Sequence, residues 1–491
     1  MPYVETIASL PIDQLVELGE RVLAVVGQAD PLTPISQGDL ARLKEARELT
    51  PQDAVLAKRV ADWVEANQAA LFVSYPGPLP PFDHLRDFWS NFYEGPRNGI
   101  PALPLAFKVK PTRFLDFRLN FPFGVPACAL TPQSRYIRYF SALGFDLITY
   151  KTVRDRPWNP HPFPQWAFVP GADAPITEAQ LNSNDQIAAP VLATLDPAAV
   201  ADVGKISLTN SFGVPSLPMD EWKRDVAVSK QVLSTGQILI VSVMGSGDDP
   251  ETKALGDDEL VRQFATTAWN AHDAGADIVE VNLSCPNTGG EVICRHPELS
   301  ARVVKAVHES LKDTNTPILI KISYLNNELL TSLIQKCREF IRGVVAINTV
   351  SAPTRAEDDT AFFQSRPGGT DIAGLSGTAI RELGLTTVRR LADLRDKQGA
   401  KPSDWVIVGV GGVTTPDDFK AYLDAGADAV QSCSGAWANP LLAVQTREQF
   451  GRPTSKGVIR AVLDGAASAG AVAFHKPARE AMDDSRTDMV A

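Results

Sequence analysis

The chain has 491 residues, 44% hydrophobic and 21% charged, proportions of a globular protein with room for a barrel and an appendage. A formal net charge of −11 argues against nucleic-acid binding, because phosphate backbones require a concentrated basic surface. No apolar run reaches the roughly 20 residues that span a bilayer, so no transmembrane segment is expected.

Residues 1–110 predict a helical extension followed by a proline-rich linker. "IDQLVELGERVLAVV", "QGDLARLKEAREL" and "TPQDAVLAKRVADWVEANQAALF" carry apolar residues at three- and four-residue spacing, and Thr50-Pro51 suits a cap and first turn. "SYPGPLPPFD" then breaks the regularity. From Phe121 onward, short apolar segments alternate with helical ones: "FGVPACA", "DLITYKT", "QILIVSVMG", "DIVEVNLSC", "PILIKIS", "GVVAINT", "WVIVGVGG" and "DAVQSCS". Eight β/α units in this order predict an α/β fold, a (β/α)8 TIM barrel over residues 111–450. Residues 451–491 read as a C-terminal helix and polar tail. The start lacks a basic region followed by an apolar core, and the five cysteines are odd in number and unclustered, so a cytoplasmic protein is expected. No CxxC pair or His/Cys group at zinc spacing marks a metal site.

Polar and special residues gather at the carboxyl ends of the apolar segments, where such barrels carry their active sites. Gly411 and Gly412 end the seventh segment, and Ser434 and Gly435 end the eighth. Tight βα turns use the same glycines, but their occurrence at both ends favours phosphate binding. Lys151 and Lys321 end the second and fifth segments. One such lysine could snorkel, whereas two at the same mouth suit an anion. Cys285, in "NLSCPNTGG", could be a small buried hydrophobe. Its neighbours Asn282, Ser284 and Asn287, with Asn210 and Asn348 from other segments, instead suit a flat ligand bearing carbonyl and N–H groups, such as a cyclic imide.

"NLSCPNTGG" resembles the active-site motif of the dihydroorotate dehydrogenase family, in particular class 1 members, in which cysteine is the base. The membrane-associated class has serine there. The similarity extends over roughly Asp116 to Ala443 and includes, in the family's order, "FPFGVPACALT", "LITYKTVRDRPWNPHPFPQWAFV", "LTNSFGVPS", "LIKIS", "AINTVS", "GLSGTAIR", "VGVGGV" and "QSCSG". The resemblance implies FMN bound over a TIM barrel. Ala127, Cys128, Lys151, Thr152 and Asn282 would contact the flavin, with Lys321 at its N1/O2 edge. Gly377, Gly411, Gly412, Ser434 and Gly435 would hold the phosphate. Asn210, Asn282, Asn287, Asn348 and Thr349 would hold the pyrimidine, with Lys151 at its carboxylate. Cys285 would take the C5 proton while C6 delivers hydride to flavin N5, giving orotate in pyrimidine biosynthesis. This division suits the chemistry: a carbon acid beside a carbonyl needs a positioned base, and the flavin carries the redox step.

Two features lean elsewhere. Ser216 stands where class 1 enzymes have asparagine, and "NTVS" with "GLSGTAIR" resembles the barrel of dihydropyrimidine dehydrogenase. That enzyme has histidine after "NLSCP", so Asn287 favours dihydroorotate over uracil or thymine derivatives. A non-redox aldolase or isomerase barrel would share the glycines but leave the thiol and asparagines unexplained. A catalytically retired scaffold would not need every catalytic position filled. The expected partner is a small pyrimidine. A homodimer is left open, as is the electron acceptor: fumarate, a quinone or an NAD-linked subunit.

Overall fold

In the computed structural model, residues 10–453 are described, except 11, 30–33, 47–48, 68–76, 98–106, 173, 285, 289–290, 364–370, 398 and 403. Eight strands close a parallel barrel: β1 (Phe123–Val125), β2 (Leu147–Val153), β3 (Ile238–Val243), β4 (Ile278–Asn282), β5 (Ile318–Ile322), β6 (Gly343–Ala346), β7 (Val406–Val410) and β8 (Ala429–Gln431). Each is hydrogen-bonded to its sequence neighbours in the barrel, and β8 closes on β1. These strands are buried on both faces, which is why they read as near-continuous β-branched runs. Helices cover the outside; Asp257–Asp273, for example, turns Leu260, Phe264, Ala268 and Ala271 inward.

The amino end of the barrel is plugged. A hairpin of Thr112–Phe114 and Phe117–Leu119 sends Phe114, Leu115 and Leu119 against Leu147, Ile238, Ile278 and Leu319 in the lumen. The carboxyl end carries a five-stranded lid: Trp166–Phe168, Ser207–Asn210, Ile372–Gly377, Val350–Arg355 and Val191–Leu192, in that spatial order. Its strands come from the segments after β2 and β6. Sequence reading did not resolve the lid or the hairpin.

Helices Ile12–Ala29, Gln37–Glu45 and Pro51–Asn67 occupy the amino-terminal region. Thr50 caps the third reciprocally: Asp53 N donates to Thr50 Oγ1 at 3.2 Å, and Thr50 N donates to Asp53 Oδ2 at 3.1 Å. The proline-rich stretch carries a short helix, Phe88–Glu94, capped by Asp87. It is bound firmly to the barrel and lid. Trp437 Nε1 donates to Phe82 O at 2.9 Å, Tyr136 Oη to Asn91 O at 3.2 Å, and Phe82 meets Trp166 edge to face. The last described elements are the helix Leu442–Phe450 and the pairing of Arg452–Pro453 with Phe107–Lys108. The expected terminal helix and tail beyond 453 lie outside the described residues. Among the described residues, no helix is long and apolar enough to cross a membrane.

Candidate active site

The carboxyl ends of the strands and the lid enclose a cavity of about 1140 Å³. Ala127 and Cys128 reach it from the loop after β1, Lys151 and Thr152 from β2, Asn282 from β4 and Lys321 from β5. Asn348 and Thr349 follow β6, Gly411 and Gly412 follow β7, and Ser434 follows β8; the lid adds Asn210 and Gly377. Gly435 does not line the cavity. Its backbone passes Val413 O so closely that a Cβ would stand 2.3 Å from it. Cys285 lies outside the described residues. Asn287 falls in the strand Pro286–Thr288, and its side chain is likewise not described.

Lys321 is 2% exposed and Lys151 9%, so both ammoniums have left bulk water. Lys321 Nζ donates to Ala127 O at 3.4 Å. On the same lumen face of β4, Glu280 lies fully buried between Ile278 and Asn282, and neither carboxyl oxygen has a well-formed hydrogen bond. Burial pushes the Glu280 carboxyl up, with the Lys321 ammonium and Ser242 hydroxyl offsetting only part of the rise.

The amides are tied together. Asn348 Nδ2 donates to Ser284 Oγ at 2.7 Å, and Ser284 Oγ donates to Asn282 Oδ1 at 2.7 Å. Asn282 Nδ2 donates to Thr152 Oγ1 at 3.1 Å, which meets Ser242 Oγ at 3.0 Å. This chain orients side chains from the ends of four strands. On the lid, Asn210 Nδ2 donates to Gly374 O at 3.2 Å. The loop after Asn210 is held by Arg154, whose Nε and Nη2 donate to Val214 O and Gly213 O at 3.0 and 2.9 Å. Ser216, the departure from the class 1 pattern, accepts Arg154 N at 3.1 Å and donates to Leu217 O at 3.1 Å. Its hydroxyl serves the backbone.

The far end is built from glycine backbone. Gly377 and Gly412 have φ of +86° and +70°, and a Cβ on Gly412 would stand 2.7 Å from Gly377 O. Ser376 Oγ and Ser434 Oγ are 3.0 Å apart, joining the lid strand to the loop after β8. One end therefore suits a compact anion, the floor supplies buried cations, and the amides suit a planar polar ring.

A sequence profile of the dihydroorotate dehydrogenase family matches residues 196–452. The chain belongs to the dihydroorotate dehydrogenase family. The family consists of flavoproteins, and membership makes this chain an oxidoreductase acting on CH–CH bonds. The chain is 28% identical over 383 residues to dihydroorotate dehydrogenase of Dictyostelium discoideum, covering 76% of this chain and 98% of that protein. A dihydroorotate dehydrogenase (quinone) of Thiobacillus denitrificans is 28% identical over 348 residues, 69% of this chain and 86% of that protein. The dihydropyrimidine dehydrogenase subunit PreA of Escherichia coli is 25% identical over 256 residues, 51% of this chain and 56% of that protein. A crystal structure of the Eimeria tenella enzyme in complex with ferulenol shares the fold, with TM-score 0.53 at 16% identity over 76% of this chain and 88% of that one.

Sequence reading passed over several contributors. Ser284 was seen only as a neighbour of Cys285, yet it links two of the asparagines. Glu280 carries a visible signal, an acid amid apolar residues in step with Asn282. Arg154 offers none, because its role depends on a loop some 60 residues away in the chain.

Proposed function

We propose that the chain is an FMN-dependent dihydroorotate dehydrogenase, oxidising dihydroorotate to orotate for pyrimidine biosynthesis, with Cys285 as the base. The observation that carries this reading is the convergence of Lys151, Lys321, the asparagines and the glycine-lined end on one cavity. That donor set fits FMN, an anion joined to a planar ring whose reduction adds negative charge. Bound FMN would supply the two-electron acceptor for the substrate's hydride.

The chain's own residues do the rest. Gly377, Gly411, Gly412 and Ser434 would hold the phosphate, and Ala127, Cys128 and Thr152 would face the ring. Lys321 would offset charge at the ring's edge. Asn210, Asn282 and Asn348, with Thr349, clamp the pyrimidine in one orientation, and Lys151 meets its carboxylate. Cys285 follows Ser284 in the chain, and the Ser284 hydroxyl is held between Asn282 and Asn348. The Cys285 thiolate removes the acidic proton beside the carbonyl.

A second reading, oxidation of dihydrouracil or dihydrothymine, draws on the likeness to PreA. The carboxylate separates the two, since only dihydroorotate engages Lys151 through charge. The cofactor is tested first: denaturing the purified protein should release FMN in equal molar amount to the chain. A protein that carries no flavin, and takes up none when FMN is added, contradicts the reading.

A further inference from the structure

Residues 211–216 follow Asn210 on the lid, and Ser211, Phe212, Gly213 and Val214 line the cavity. The backbone of this loop is left-handed at two consecutive residues, with φ of +72° at Gly213 and +52° at Val214. Glycine adopts that region freely. A β-branched residue there crowds its own backbone, and Pro215 restricts Val214 further by favouring extended conformations in the residue before it. Val214 therefore has to be held in place from outside the loop.

Arg154 does the holding. Its side chain is 2% exposed, and its Nε and Nη2 take the carbonyls of Val214 and Gly213, the two left-handed residues. The rest of the fork is bidentate to Asp248, in the loop after β3, with Nη2 donating to Oδ2 at 2.9 Å and Nη1 to Oδ1. The Trp158 ring centroid lies 4.3 Å from the guanidinium, and Trp222 Nε1 donates to Arg154 O at 3.2 Å. Backbone bonds complete the frame. Trp158 N donates to Ser216 O at 2.9 Å, Ser216 N to Trp158 O at 3.0 Å, and His161 N to Phe212 O at 3.0 Å.

We propose that Arg154 is a positioning residue for substrate binding: with Asp248 it locks residues 213–214 in the left-handed conformation that shapes one wall of the cavity. This rests on the functional reading above, in which Asn210, at the head of the loop, clamps the pyrimidine. Arg154 is not among the residues that line the cavity, so it acts through the loop. Its loss loosens the wall and weakens substrate binding, while the flavin and the hydride step are largely spared.

The test compares Arg154→Met, Arg154→Lys and the pair Arg154→Met with Val214→Gly, each as the purified flavin-loaded protein. Arg154→Met should raise KM for dihydroorotate by roughly tenfold or more, the effect of losing hydrogen bonds to a charged group. Flavin content should match wild type, and the limiting rate of flavin reduction should stay within about threefold. Arg154→Lys should fall between, because an ammonium keeps the charge beside Asp248 without the planar fork. Val214→Gly removes the side chain that opposes the left-handed backbone, so the pair should recover most of the KM. Amide hydrogen exchange at Trp158, His161 and Ser216 reads the same loop with no substrate present: Arg154→Met should speed it, and the pair should slow it again. Either quantity unchanged in Arg154→Met, or losses that Val214→Gly does not recover, would overturn the proposal. A wild type that dihydroorotate does not reduce sinks the functional reading, and exchange then decides alone whether Arg154 holds the loop. If Arg154→Met fails to fold, Arg154→Lys with and without Val214→Gly carries the same comparison.

Discussion

Asn348 Nδ2 donates to Ser284 Oγ at 2.7 Å, and that bond joins the loop after β6 to the loop after β4. Ser284 passes the constraint to Asn282, and Asn282 to Thr152, so one hydroxyl orients two amides of the proposed pyrimidine clamp. Ser284→Ala would take the Oγ acceptor from Asn348 Nδ2 and one of two donors from Asn282 Oδ1, which keeps the Ser284 N–H at 3.1 Å, a loss of about 1–3 kcal/mol. It should raise KM for dihydroorotate by roughly tenfold or more while the flavin content of the purified protein stays level. Unchanged KM would remove Ser284 from the clamp.

Glu280 gives a pH-dependent prediction. Its folded value is raised from 4.5, so the native state binds its proton more tightly than the unfolded chain does. The stability Glu280 contributes is therefore present below 4.5 and is lost as pH rises through the folded value. Glu280→Gln keeps the shape but cannot ionise. It should stabilise the protein at neutral and alkaline pH by about 1–3 kcal/mol, the cost of an unsatisfied buried group. The gain should shrink toward pH 4.5, read as denaturant midpoints across pH. An offset equal at every pH contradicts this account.

His84 acts with the opposite sign. It is buried against Phe168 and Trp437, donates Nε2–H to Leu195 O at 2.8 Å, and has its pKa pushed down to about 4, mainly by burial. The unfolded chain binds a proton near 6.5 and the native state does not, so stability holds above 6.5 and falls as pH drops toward 4. The loss amounts to about 3 kcal/mol. His84→Leu should flatten thermal stability across that window. A variant that keeps the wild-type slope would assign acid sensitivity to other groups.

Lys321→Ala should lower the flavin's reduction potential or lose the cofactor, because a cation beside developing negative charge in a dry site contributes up to several kcal/mol. Potentiometric titration of the purified variant measures this directly. Equal potential and occupancy would reduce Lys321 to a packing role.

The barrel was legible because strands buried on both faces spell themselves out: "ILIVSV" and "VIVGV" need no partner to be recognised. The lid strands are shorter or half-exposed, and Ser207–Asn210 pairs with Ile372–Gly377 across more than 160 residues, a contact that local pattern does not encode. The hairpin that plugs the barrel turns through Leu115 at φ 52°, with no glycine to announce it. At the site, Lys151, Lys321 and the asparagines were readable because polar groups at the ends of apolar strands need a reason. Ser216 was a departure from a motif until its backbone bonds were seen.

The most direct measurement is anaerobic mixing of the purified protein with dihydroorotate, dihydrouracil and dihydrothymine in turn, following loss of the flavin's visible absorbance in wild type and in Cys285→Ala. The account predicts that dihydroorotate bleaches the wild type fastest. It also predicts that Cys285→Ala keeps its flavin but slows bleaching by roughly 10²–10⁴-fold, the range for losing a general base. Faster bleaching by dihydrouracil in the wild type, or an alanine variant as fast as wild type, would contradict it.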